Sequence, residues 1–408
     1  MIDCLTQIFK EQIMNEQIAC DFKGEIVVPA GFQFNGGNAG IKKTGKKDFG
    51  VAIADEPCTA SAVFTKNKFC GECIPIGKKA VKNGVLQAIV VTSGIANVAT
   101  GKQGTENEIS IIDKLSKSRN ISVDDVLPSS TGIIGVQLPI ESVLESMDEI
   151  IENVSPASFM DFAESIITTD SKIKIENKKI GEAAILATAK GAGMIEPNMA
   201  TMLSYIFTDA KVSQPELDLL LKKSVEHSFN SMSVDTDTST SDTVVIMSSG
   251  KYEVDAEEFG KVLDEVCISL CRQIVDGAEG AKHRIEVTVA DCADERAAKL
   301  IGKSVVNSPL VKTAVYGCDP NWGRIVMAVG KTEGADFDKN NIAISVGDYC
   351  IFKDGSEVSE SLPMIKKYLD SEHDIRIKIS VGTGDCEHTV YGCDLTEEYV
   401  RINSYYST

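Results

Sequence analysis

The stretch KGAGMIEPNMATML, from Lys190 to Leu203, holds the residues of this chain whose types and spacing best suggest chemistry. A threonine hydroxyl is a weak nucleophile unless a base stands beside it, and the residue's own α-amine can serve only once the preceding peptide bond is broken. That amine titrates at about pH 7.7 to 8, which suits proton transfer near neutrality. An internal Thr201 can break the bond itself by attacking the Ala200 carbonyl, giving an ester that water then opens. Small residues before it and the apolar run LSYIFTDA after it would permit a tight turn followed by a firm strand. Read alone, these few residues fit a plain strand entrance at Thr201 at least as well as a place built to be cut.

The elements that must position such a site alternate along the chain. LQAIVVTSG, DTVVIMSSG and RIEVTVADC read as strands closed by Gly, Ser or Asp. Phe259, Leu263, Val266, Leu270 and Ile274 recur at helical spacing and predict one apolar stripe packed onto a sheet. Further helices are expected at ENEISIIDKLSKS, ESVLESMDEIIENV and PELDLLLKKSVEHSF. Together these predict a layered α/β chain with helices covering sheets. No Gly-x-Gly-x-x-Gly opens a helix after a strand, so a dinucleotide fold is not indicated. The echo VYGCD, at Val315–Asp319 and Val390–Asp394, suggests two similar strand-to-turn corners. Leu395 to Ile402, led by Thr396-Glu397-Glu398, reads as a capped helical turn able to dock.

Composition sets the surroundings. The 408 residues are 43% hydrophobic, with no apolar run near the ~18 residues of a membrane span, so a globular chain is expected. A net charge of −19 argues against nucleic acid or an anionic membrane as partner and leaves small molecules or proteins. The first residues mix charged and apolar positions without a secretory or transit pattern, which makes the cytoplasm the expected location. The twelve cysteines are then expected as reduced, small apolar residues. Cys70 and Cys73 have metal or redox spacing but no second pair, so no metal is assigned. His227, His283, His373 and His388 have no nucleophile nearby in sequence and read best as solvated surface residues.

Segments spread over the whole chain after about residue 25 resemble one family. GFQFNGGNAGIKKTGKKDFGVAIAD, SSTGIIG, ITTD, the KGAGM…ATML stretch, DTDTSTSDTVV, DPNWGRI and DLTEEYVRINSYYST stand in the order found in the ornithine acetyltransferase, or glutamate N-acetyltransferase, family of arginine biosynthesis. The resemblance implies an α-β-β-α type, N-terminal-nucleophile-like fold that cuts itself into residues 1–200 and 201–408. It implies Thr201 as nucleophile, Ala200 as the residue before the cut, and Thr131 with Gly132 as the oxyanion hole. The substrate positions it implies are Thr168, chosen over Thr169, with Lys190, Thr201, Glu279, Asn403 and Thr408. Lys190 suits a carboxylate, Glu279 an ammonium, and Asn403 and Thr408 neutral hydrogen bonds. Taken singly, Lys190 and Glu279 would read as solvated charges and the last residues as a frayed tail.

The activity implied is transfer of acetyl from N2-acetylornithine to glutamate without metal or cofactor, and the sequence leaves open whether acetyl-CoA is also a donor. A heterotetramer of two chains of each kind is also implied. Ile95, Thr236, Ser241, Lys282 and His283 depart from the family pattern, which leaves open a paralogue acting on another N-acyl amino acid. A self-processed aminopeptidase of related fold and an unprocessed binding protein are the alternatives. Thr rather than Ser at the cut counts against the first of these.

Overall fold

The computed structural model describes residues 19–196 and 202–405. In chain order the strands are β1 (Ala19–Cys20), β2 (Phe32–Gly37), β3 (Phe49–Phe64), β4 (Val85–Ile95), β5 (Val126–Ile133), β6 (Lys172–Ile180), β7 (Ala183–Lys190) and β8 (Leu203–Lys211). They continue as β9 (Met232–Ser233), β10 (Thr243–Glu253), β11 (Arg284–Cys292), β12 (Ala343–Val346), β13 (Tyr349–Lys353), β14 (Ser356–Glu357), β15 (Asp374–Ser380) and β16 (Cys386–Cys393). One sheet runs β1-β6-β7-β8-β10-β3-β4-β5, with β2 on β3, and the other runs β14-β13-β12-β15-β11-β16-β9. The architecture is mixed α/β sheets covered by helices, as the alternating pattern predicts.

Period-two side-chain alternation explains the centre of the first sheet. In β8, Leu203, Tyr205 and Phe207 enter one core and Ile206 and Ala210 the opposite one. Neighbouring β10 runs parallel to it and divides in the same way, Val245 and Met247 against Val244 and Ile246. Strands buried on both faces need helices on both sides. Here the helices Gln214–His227 and Ala256–Asp276 cover one face, while Cys73–Ala80 and Phe159–Ser165 cover the other.

The helix Ala256–Asp276 carries the predicted stripe, all five of its residues being fully buried. Sequence reading gave it one sheet to pack on; it lies between two. Toward the first sheet, Gln273 Nε2 donates to the Ile175 carbonyl of β6 at 3.1 Å. Toward the second, Arg272 Nε donates to Glu286 of β11 at 2.8 Å, and its guanidinium lies over the Tyr391 ring of β16. Cys267 and Cys271, buried beside the stripe, widen the apolar face enough to serve both.

Two local expectations are corrected. The VYGCD segments do not share a conformation: the first ends the helix Pro309–Tyr316 and the second ends β16. Five residues carry too little local preference to override their surroundings. His388 is 6% exposed rather than solvated, held between Ser231 and Glu295. No helix among the described residues is long and apolar enough to cross a membrane.

Candidate active site

A cleft of about 220 Å³ opens where both sides of the 197–201 stretch meet the loop that precedes β10. Thr131, Gly132, Thr168, Lys190, Glu279 and Asn403 all line it, as do Met194 and Met202. Ala200, Thr201 and Thr408 lie outside the described residues.

One wall is basic. Lys190 ends β7, and its Nζ donates to Thr168 Oγ1 at 3.2 Å. Burial and the nearby Lys174 lower the Lys190 ammonium below the ordinary lysine range, against the pull of Asp170. Asp170 anchors this wall, accepting the Gly191 N–H at 2.7 Å, the Thr168 N–H at 3.1 Å and the Lys174 ammonium at 2.5 Å. Burial alone would raise its carboxyl, but Lys174, Lys190 and the Gly191 N–H bring it down to about 2. Thr169 lines the cleft as well, but it is Thr168 that Lys190 reaches. The solvated-charge reading of Lys190 gives way to a cation held inside the site.

Another part of the lining is acidic. Glu279 Oε2 accepts from Asn403 Nδ2 at 2.9 Å, which ties the last helix, Glu397–Tyr405, to the loop after Asp276. The docked turn expected at Thr396 is present, since Thr396 Oγ1 accepts the Tyr399 N–H at 3.3 Å and donates to the Gly280 carbonyl at 2.7 Å. Tyr399 donates from its hydroxyl to Asp235 at 3.3 Å. Burial with neighbouring Asp235 and Glu196 raises the Asp237 carboxyl. Gly193 faces Glu279 so closely that a Cβ there would stand 2.6 Å from Oε2. The cleft thus offers both a lysine and several carboxylates, groups that suit a small zwitterion.

Thr131 and Gly132 form a third corner, at the end of β5. Gly132 has φ +130°, and a Cβ there would fall 2.3 Å from the Gly94 carbonyl carbon, so only glycine fits this close approach of β4 and β5. The preceding Ser130 is tied by its hydroxyl to buried Glu108, and Thr92 donates to Ser130 at 2.8 Å. The corner is thus braced by hydrogen bonds and close packing of its own.

The sequence reading missed Asp170, Asp235, Asp242 and Tyr399. All four sit in segments that it quoted, ITTD, DTDTSTSDTVV and DLTEEYVRINSYYST, of which only Asp242 stands directly before a strand. Among the departures from the family pattern, Thr236 adopts φ +70°, a left-handed conformation that strains a β-branched residue. Ser241 lines the cleft, its buried hydroxyl without a partner among the described residues. The Lys282 N–H and the His283 ring both meet Asp394, at 2.9 and 2.8 Å.

The chain as a whole is similar to known proteins. The ArgJ family pattern matches residues 33–408. Arginine biosynthesis bifunctional protein ArgJ 2 of Clostridium acetobutylicum is 47% identical over 93% of this chain and 98% of its own length. Glutamate N-acetyltransferase Oat2 of Streptomyces clavuligerus is 39% identical, over 93% of this chain and 98% of that protein. The crystal structure of the arginine biosynthesis bifunctional protein argJ from Bacillus halodurans is 36% identical, covering 50% of this chain and 100% of that one, with a TM-score of 0.49. With nearly its whole length matched, the chain belongs to the ArgJ family.

Proposed function

We propose that this chain cuts itself between Ala200 and Thr201 and then moves acetyl from N2-acetyl-L-ornithine to L-glutamate on the Thr201 hydroxyl. The observation that carries the reading is the cleft itself. Six positions from separate parts of the chain, Thr131 to Asn403, line one cavity flanked by Met194 and Met202, on either side of the proposed cut. Family membership supports it, several relatives being named for arginine biosynthesis and one as a glutamate N-acetyltransferase.

In the first half-reaction the freed α-amine of Thr201 takes the hydroxyl proton as the oxygen attacks the acetyl carbonyl. Thr131 and Gly132 donate to the developing oxyanion, and such donors contribute ~2.7 to 4 kcal/mol each in comparable sites. The carbonyl carbon to nitrogen bond then breaks, the proton passes to the departing nitrogen, and ornithine leaves. Glutamate's amine attacks the acetyl ester in the reverse sense. Lys190 holds the amino acid's carboxylate and Glu279 an ammonium, with Asn403 and Thr408 adding neutral hydrogen bonds. Residues 1–200 and 201–408 remain together as the two kinds of chain in a cytoplasmic heterotetramer with two of each.

Mass spectrometry of the purified protein tests this. The expected result is two pieces meeting at Ala200–Thr201, the second gaining one acetyl group on incubation with acetylornithine. The Thr201→Ala variant should stay a single chain and transfer nothing. A folded Thr201→Ala protein that still separates at residue 201 would falsify the mechanism.

A further inference from the structure

Asp242 precedes β10 and faces the cleft, yet no step above uses it. It is 1% exposed, and its Oδ2 has no hydrogen-bond partner among the described residues. Its backbone is fixed on two sides, the Thr65 N–H donating to the Asp242 carbonyl and the Thr243 N–H to the Met202 carbonyl, both at 3.0 Å. The Met202 N–H in turn donates to the Asp242 carboxyl. Met202 directly follows Thr201 in sequence. A buried carboxyl oxygen without a partner among the described residues therefore belongs to a residue bound beside Met202, one position after the bond proposed to break.

The surroundings favour a carboxyl that carries its proton. Burial pushes Asp242 well above the usual carboxylate range, against the contrary pull of Thr65, Lys190 and Ser239. The Thr65 hydroxyl has its own proton committed to the Ser239 carbonyl at 2.8 Å. Burial, rather than hydrogen bonding, is what favours the protonated form. Lys190 is the cation of this cleft, and Asp235, Asp237 and Glu279 are its other carboxylates.

We propose that Asp242 relays the proton of the self-cleavage, passing its own proton to the Thr201 nitrogen while accepting the proton of the Thr201 hydroxyl. The inference rests on the reading that the chain cuts at Ala200–Thr201. The step balances: the oxygen to carbonyl-carbon bond forms, the carbon to nitrogen bond breaks, and Asp242 ends with one proton as it began. Water then opens the ester, leaving a carboxyl on Ala200 and returning a proton to the hydroxyl. An amide nitrogen leaves poorly unless it is protonated, so a positioned acid is the group this step needs most.

Asp242→Asn tests the relay, because the amide has the same shape and no transferable proton. Wild type should be isolated as two pieces. The Asn variant should be isolated mainly as one 408-residue chain that cuts about 10²-fold more slowly or worse. Asp242→Glu should recover part of the rate, which a purely structural role for Asp242 would not predict. Circular dichroism and thermal melting establish that the variants fold. If Asp242→Asn does not fold, wild type made by cell-free synthesis at about pH 6 and about pH 9 decides the matter, since the protonated carboxyl is depleted as pH rises. Slower cutting at the higher pH supports the relay, and equal or faster cutting there overturns it. A folded Asn variant isolated fully cut also overturns it while leaving the cut in place, whereas a wild-type chain that never cuts overturns the underlying reading as well.

Discussion

The two segments on either side of residues 197–201 are fastened by different forces. Before them, residues 191–196 are held by hydrogen bonds to fixed acceptors: Gly191 N–H to Asp170, and Met194 and Ile195 N–H to the two oxygens of Asp235, each at 2.7 Å. Glu196 N–H adds a bond to the Asp237 carbonyl at 2.8 Å, and the Glu196 carboxylate accepts from Asn307 at 2.6 Å. After them, β8 is held between two apolar cores, and its seven residues from Leu203 to Asp209 are all buried. Hydrogen bonds fix a direction, and packing fixes a depth. The chain before the proposed cut is thus aimed, left-handed Met194 at φ +57° included, while the chain after it is clamped in place.

The comparison can be broken from either side. The largest effect is expected from Asp170→Asn, which leaves the buried Lys174 ammonium without its partner and should cost about 3 to 5 kcal/mol in urea denaturation. The pH profile sharpens this prediction. The folded-state carboxyl lies at about 2, below an unfolded value of about 3.9, so its contribution is complete above pH ~4 and is lost as pH falls through about 2. Wild type should lose about 2 kcal/mol over that window that the Asn variant does not. Hydrogen exchange should show protection disappearing at Gly191 before it does in β8. Loss of both together would remove the distinction drawn here.

On the packed side, Ile206→Ala should cost about 2 to 5 kcal/mol with little dependence on pH, because it deletes apolar contacts between the first sheet and its helices. An effect as pH-sensitive as that of Asp170 would mean that β8 is not held by packing alone. The smallest effect expected is a gain. Thr236 stands between Asp235 and Asp237, the residues that aim the upstream segment, and a left-handed L-residue costs roughly 1 to 2 kcal/mol. Thr236→Gly should therefore raise the thermal midpoint by a few degrees, equivalent to about 1 kcal/mol or less once glycine's extra chain entropy is counted. A fall in the midpoint would show that the Thr236 side chain contributes contacts that outweigh the strain.

What the sequence made legible follows from the range of the interactions involved. The stripe Phe259 to Ile274 and the cap at Thr396 are written within a few residues and could be read directly. The second partner of the helix Ala256–Asp276 could not, because Arg272, Glu286 and Tyr391 meet only in the fold. Lys190 looks like any surface lysine until Asp170 and Thr168, some twenty residues earlier, are brought beside it. Asp242 is the extreme case. Its burial depends on β3, β8 and β10 coming together, and no residue near it in sequence announces that.

The order of the first sheet has a consequence for inheritance and assembly. β8 and β10, from the second half of the chain, sit between β7 and β3, from the first. A cut chain folded this way is interleaved, and its halves can part only by tearing two strand ladders at once. Two alleles, one damaged in each half, should therefore fail to complement each other by trading pieces after folding, because each molecule keeps for life the two halves with which it was made.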